Sequence, residues 1–156
     1  MDSKLRLCQK LEIPDALMSD HDVLRERLMR ATTVPGRIGI AAERASQFWL
    51  LHFAEEEEEV FRAIELLKEL EQAGEQGEQP TTLFPIIARI SAKHLAMRDR
   101  HHPIHATLEE LQQVARDEGN DIICELVDDL RKHEQIEDQV MYPTLMFADA
   151  SARGKL

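Results

Sequence analysis

Histidine and glutamate interrupt the apolar stripes of this chain at spacings that would bring them together inside a folded core. Read at helical period, one stripe runs Leu17, His21, Leu24, Leu28, and a second runs Ala45, Phe48, His52, Glu56, Val60, Ala63, Leu67. A third runs Ile87, Ile90, His94, Met97, His101, Ile104, Leu108, Leu111, and a fourth Ile123, Leu126, Leu130, His133, Glu137, Met141. An ionised carboxylate in a core is costly unless something neutralises it. Two of them, Glu56 and Glu137, together with at least four imidazoles, call for a common explanation. A cluster of bound cations supplies one.

The chain also repeats itself. His21 precedes His52 by 31 residues, and His101 precedes His133 by 32. His21 and His101 are each followed by an aliphatic at +3 (Leu24, Ile104) and a leucine at +7 (Leu28, Leu108). His52 and His133 are each followed by glutamate at +4 and by an apolar-aromatic pair, Val60-Phe61 and Met141-Tyr142. The two halves read as copies of one helical hairpin, each offering His and His-x-x-x-Glu.

Four helices must position these residues. The first is expected over 14–32, opened by Pro14 and stopped at Val34-Pro35-Gly36; the second over 37–72, ending in the polar stretch 73–80. The third begins near Thr82 and stops before Gly119, a C′ glycine, and the fourth is capped by Asn120 and runs to about Phe147. Short connections make neighbours antiparallel, so the expected fold is all-α, an up-down-up-down four-helix bundle over 14–147. Residues 1–13 form an N-terminal arm, whose Leu5, Leu7, Leu11 and Ile13 could cover the longer second helix, and 148–156 form a frayed tail. His21 and His52 lie 14 and 17 residues from Pro35, and His101 and His133 lie 18 and 14 from Gly119. At about 1.5 Å per residue, all four histidines fall in one layer, to within a helical turn. His94, seven residues from His101, is too far along the axis for that layer and reads as a core or cavity-lining residue. Of the run Glu55 to Glu59, Glu56 faces inward with Glu59 nearby, and the others form a wet face. Phe48, Trp49 and Tyr142 read as core, and Tyr142 could also touch a bound ligand.

Composition narrows the function. Thirty acidic against nineteen basic residues give a net charge of −11, which repels phosphate backbones and anionic lipid. Nucleic-acid and membrane roles are therefore disfavoured. Aromatics at 4% with few Gly and Pro favour helices over strands. Cys8 and Cys124 form no CxxC pattern and the N-terminus has no secretory apolar region, so a cytoplasmic protein with reduced thiols is expected.

The segments HDVLRERL, HFAEEEEEVF, HHPIHATLEEL and HEQIEDQVMYP resemble the four helical motifs of the hemerythrin-like (HHE cation-binding) family. The resemblance implies a pair of non-haem iron ions, carboxylate-bridged and carrying an oxo or hydroxo bridge. It makes Glu56 and Glu137 the bridges, places His21 and His52 on one iron, and places His101 and His133 on the other. His105, at i+4 from His101, matches a further ligand of oxygen-carrying hemerythrins. With His105 bound, one coordination position stays open; without it, two do. Pro103 could kink this helix and swing His102 or His105 toward the site. Asp138, at +5 from His133, matches an aspartate those carriers use, so the fourth-helix bridge is Glu137 or Asp138, with symmetry favouring Glu137.

The resemblance implies a metal-binding protein that binds, stores or senses a small molecule such as dioxygen or nitric oxide. The alternative is a di-iron enzyme that reduces nitric oxide or peroxide, or supplies iron for iron-sulfur cluster repair. A third reading is a metal-free helical module that binds a partner protein. A redox partner or a homo-oligomer is compatible with any of these.

Overall fold

The computed structural model describes residues 13–73 and 83–152; the arm at 1–12 and the tail residues 153–156 lie outside the described residues. The fold is all-α. Helix α1 spans Ile13–Thr32. A second long helix comprises α2 (Arg37–Glu55), a π-helical segment Glu56–Phe61 and α3 (Arg62–Ala73). Helix α4 spans Leu83–Asp117. A fourth long helix comprises α5 (Asp121–Ile136), a second π segment Glu137–Met141 and α6 (Tyr142–Ala152). Helix α1 packs on α2 and α5, and α4 packs on α2, α5 and α6, which closes a four-helix ring. Among the described residues no helix is long and apolar enough to cross a membrane.

Local chemistry sets the helix ends. Gly119 adopts φ 66°, and Asn120 N–H donates to Ala115 O (2.8 Å) while Gly119 N–H donates to Arg116 O (3.1 Å). This is the paired bonding that closes a helix through a left-handed glycine. The same Asn120 caps α5, its Oδ1 accepting the Ile123 N–H at 3.2 Å. One residue thus ends one helix and starts the next, as the sequence predicts. Helix α4 runs unbroken through Pro103, and α6 continues past Phe147, where a frayed tail was expected.

At the first turn, Gly36 takes φ 88°, and Gly39 sits where a Cβ would lie 2.1 Å from Val34 O and 3.0 Å from Thr32 O. The chain reversal needs a hydrogen atom at that point. Gly39→Ala should destabilise the protein by about 1–3 kcal/mol through this overpacking, measurable as a lower urea midpoint with an unchanged slope.

Two apolar cores fill the bundle. One gathers Leu24, Leu28, Trp49, Phe53, Ile104, Leu108 and Leu130; the other gathers Leu17, Val60, Phe61, Ile87, Ile90, Met141, Tyr142 and Leu145. His21 lies between Leu17 and Leu24, His52 and Glu56 between Trp49 and Val60, and His133 and Glu137 between Leu130 and Met141. The polar residues therefore form one layer between the two cores. Phe48, expected in the core, is 41% exposed; its neighbour Trp49 takes the inner position and is fully buried.

Candidate metal centre

The layer is built from helix positions four apart. His52, Glu56, Val60 and Ile64 are all buried, as are His133, Glu137, Met141 and Leu145. In a regular α-helix of 3.6 residues per turn, each step of four drifts about 40°, so such a series would wind out of the core. The π segments correct this. Their wider turns reverse the drift, so the histidine, the glutamate and the apolar residues beyond them all face inward. Each π segment begins at a glutamate, Glu56 or Glu137, at corresponding places in the repeat. Single π turns inside α-helices are frequent at functional sites.

Within the layer, His21, Glu56, His133 and Glu137 each contribute one atom to a group that spans no more than 4.8 Å, and all four residues are buried. His52 joins them: its Nε2 lies 3.4 Å from Glu56 Oε1 and 3.3 Å from Glu137 Oε2. Glu137 reaches all three rings, with His21 Nε2 at 3.5 Å and His133 Nε2 at 2.5 Å. Glu56 Oε2 stands 3.4 Å from His21 Nε2 but accepts no hydrogen bond, although it is buried. On the other side, Glu56 Oε1 accepts the Tyr142 hydroxyl at 2.8 Å. Phe53 stacks at 4.3 Å from the His21 ring and meets His133 edge-on at 5.7 Å.

The electrostatics are those of a site built for positive charge. Burial lowers the His21 pKa, but its hydrogen bond with Glu137, its close approach to Glu56 and the charge of both overcome this and push it up to about 9. His52 behaves likewise, also reaching about 9, through the charge of Glu56 and its contact with Glu137. Burial and the neighbouring Glu137 charge raise Glu56 to about 7. Burial also opposes ionisation of Glu137, yet the three imidazoles hold it well below the ordinary carboxylate range. Burial and the two carboxylates drive the Tyr142 phenol far up, so it stays a neutral donor.

One functional contact escaped the sequence reading. Glu57, expected on the wet face, bonds His21 Nδ1 through its Oε1 at 3.1 Å and accepts from Arg25 at 2.6 Å. This holds the ring so that Nε2 faces the two buried glutamates, the arrangement that orients ligating histidines. The signal was the run of glutamates itself, in which a π turn brings the fifth residue after His52 back toward α1. Glu57→Gln should weaken metal binding about 10- to 100-fold without unfolding the protein. Fluorescence of Trp49, the only tryptophan and 5.7 Å from the His52 ring, would report this in a metal titration.

The remaining candidates are placed as follows. Glu137 is buried in the cluster, whereas Asp138 beside it is exposed. Glu59 is paired with Lys93 at the surface. His105 is 54% exposed, with its Nε2 3.4 Å from Glu134 Oε1. The backbone of His94, His101 and His102 lies on α4, between Ile90 of one core and Ile104 of the other, but their side chains lie outside the described residues.

Fold and site together define a helical bundle with an inward-facing histidine–glutamate cluster able to hold a metal ion. Residues 83–156 match the family model described as the Hemerythrin HHE cation binding domain. The resemblance carried by HHPIHATLEEL and HEQIEDQVMYP is thus borne out, and the repeat relates the other two motifs to that segment. No curated protein and no solved structure matches the chain.

Proposed function

We propose that the layer holds two non-haem iron ions bridged by Glu56 and Glu137, with His21, His52, His101 and His133 as their imidazole ligands. The observation that carries the reading is the convergence of two buried carboxylates on three imidazoles, with Glu56 Oε2 buried and accepting no hydrogen bond. Imidazole and carboxylate donors suit iron when coordination positions remain open. When bound, such a centre supplies redox-active positions for dioxygen, nitric oxide or peroxide. The chain's own part is to exclude water with two apolar cores, to orient His21 through Glu57, and to fix one Glu56 oxygen through Tyr142.

On this reading the protein stores, carries or senses a small molecule. Anaerobic loading with ferrous iron, followed by optical spectra on cycling between air and vacuum, tests it. Reversible spectral change supports carriage or storage, and irreversible oxidation on the first exposure counts against it. A second reading is reduction of nitric oxide or peroxide, for which a centre without His105 as a ligand would leave more open coordination. Steady consumption of either molecule with a reductant, lost in Glu56→Ala, would establish that reading instead.

A further inference from the structure

The two halves of the site differ at an inward aromatic position. Where the first hairpin carries Phe61, edge-on to His21 at 5.1 Å, the second carries Tyr142, whose hydroxyl reaches Glu56. A recess opens beside Tyr142, between the first π segment and α4. Its described lining includes Glu56, Glu59, Val60, Ile90, Lys93 and Tyr142. The free space within it, about 10 Å³ for the centre of a water-sized molecule, is room for one such molecule. Val60 and Ile90 are buried apolar walls, and the inner end is the Glu56–Tyr142 pair. At the surface, Lys93 Nζ bonds Glu59 Oε1 at 2.6 Å, with Arg89 Nε at 4.0 Å from the same oxygen.

We propose that this recess is the path by which one uncharged molecule of diatomic size reaches the Glu56 side of the centre. The Lys93–Glu59 pair closes its mouth, and the Tyr142 hydroxyl is the hydrogen-bond donor at its end. The inference rests on the di-iron reading above. Size and wall chemistry select the ligand. Apolar walls disfavour an ion, and the buried Glu56 carboxylate at the inner end repels an anion. Tyr142 is placed to donate to an acceptor atom if its bond to Glu56 is shared or exchanged.

Stopped-flow association of nitric oxide with the ferrous-loaded protein tests this. Ile90→Trp, which fills the recess, should slow association and dissociation alike by about tenfold while leaving Kd and iron content unchanged. A merely structural effect would change Kd or iron content instead. Lys93→Ala, at a half-exposed position that does not endanger folding, should speed association two- to threefold, on the order of an opened gate. Crystals of the metal-free protein pressurised with krypton should show a gas atom between Val60, Ile90 and Tyr142, a readout that needs no iron. Wild-type association rates in both variants, or krypton only elsewhere, would overturn the path while leaving the metal centre intact. Failure of the wild-type protein to bind iron would overturn the di-iron reading itself.

Discussion

Glu137→Gln is expected to lower metal affinity by at least about 100-fold while leaving the bundle folded. Glu137 is within reach of all three imidazoles of the cluster, His21, His52 and His133, at 3.5, 3.3 and 2.5 Å. Glutamine keeps the shape and removes the charge. The metal loses a ligand, and His21 and His52 lose much of the negative field that holds their pKa values high. The metal-free protein should also lose on the order of 3 kcal/mol at neutral pH, as when one partner of a buried ion pair is removed. Asp138→Asn is the control. Asp138 is exposed, so that substitution should change neither quantity. Chelator competition gives the affinities and urea denaturation the stabilities. Equal losses in the two variants would reassign the fourth-helix ligand.

Metal affinity is expected to climb steeply with pH, because metal must displace protons from the cluster. Between about 7 and 9, His21 and His52 are both protonated in the metal-free protein, each having been raised to about 9. Binding then releases two protons, and affinity should rise about 100-fold per pH unit, tenfold for each. Burial and the Glu137 charge raise Glu56 too, so the dependence should steepen further toward lower pH. The stability of the metal-free protein moves the other way. Folding raises the two histidines above their ordinary 6.5, so the stability they contribute is complete below that value and is lost as pH rises through 9. The gap in Tm between metal-bound and metal-free protein should therefore widen from pH 6 to pH 9. A gap that narrows over this range would show that the cluster does not exchange protons for metal.

The bundle was legible because its determinants are local. Apolar period, Gly119 and Asn120 fix the helices and the last turn without reference to the rest of the molecule. The inward placement of Glu56 and Glu137 was legible too, since both interrupt apolar stripes at matching places in a repeat. What could not be read was the local change of helical pitch. A period of 3.6 put Glu57 on the outer face, yet Glu57 bonds His21. The π segments were encoded in the unbroken four-residue spacing from His52 to Ile64 and from His133 to Leu145, which a regular helix would not keep on one face. His105 is left open by its spacing: at i+4 from His101 it suits a ligand, and its Nε2 lies 3.4 Å from Glu134 Oε1.

The most direct measurement is the iron content of the purified protein after anaerobic loading with ferrous iron and removal of excess. Two irons per chain are expected, falling to none in the Glu56→Ala/Glu137→Ala double variant while its helical circular dichroism persists. Wild-type protein that retains no iron, or a double variant that retains as much as wild type, would contradict the account.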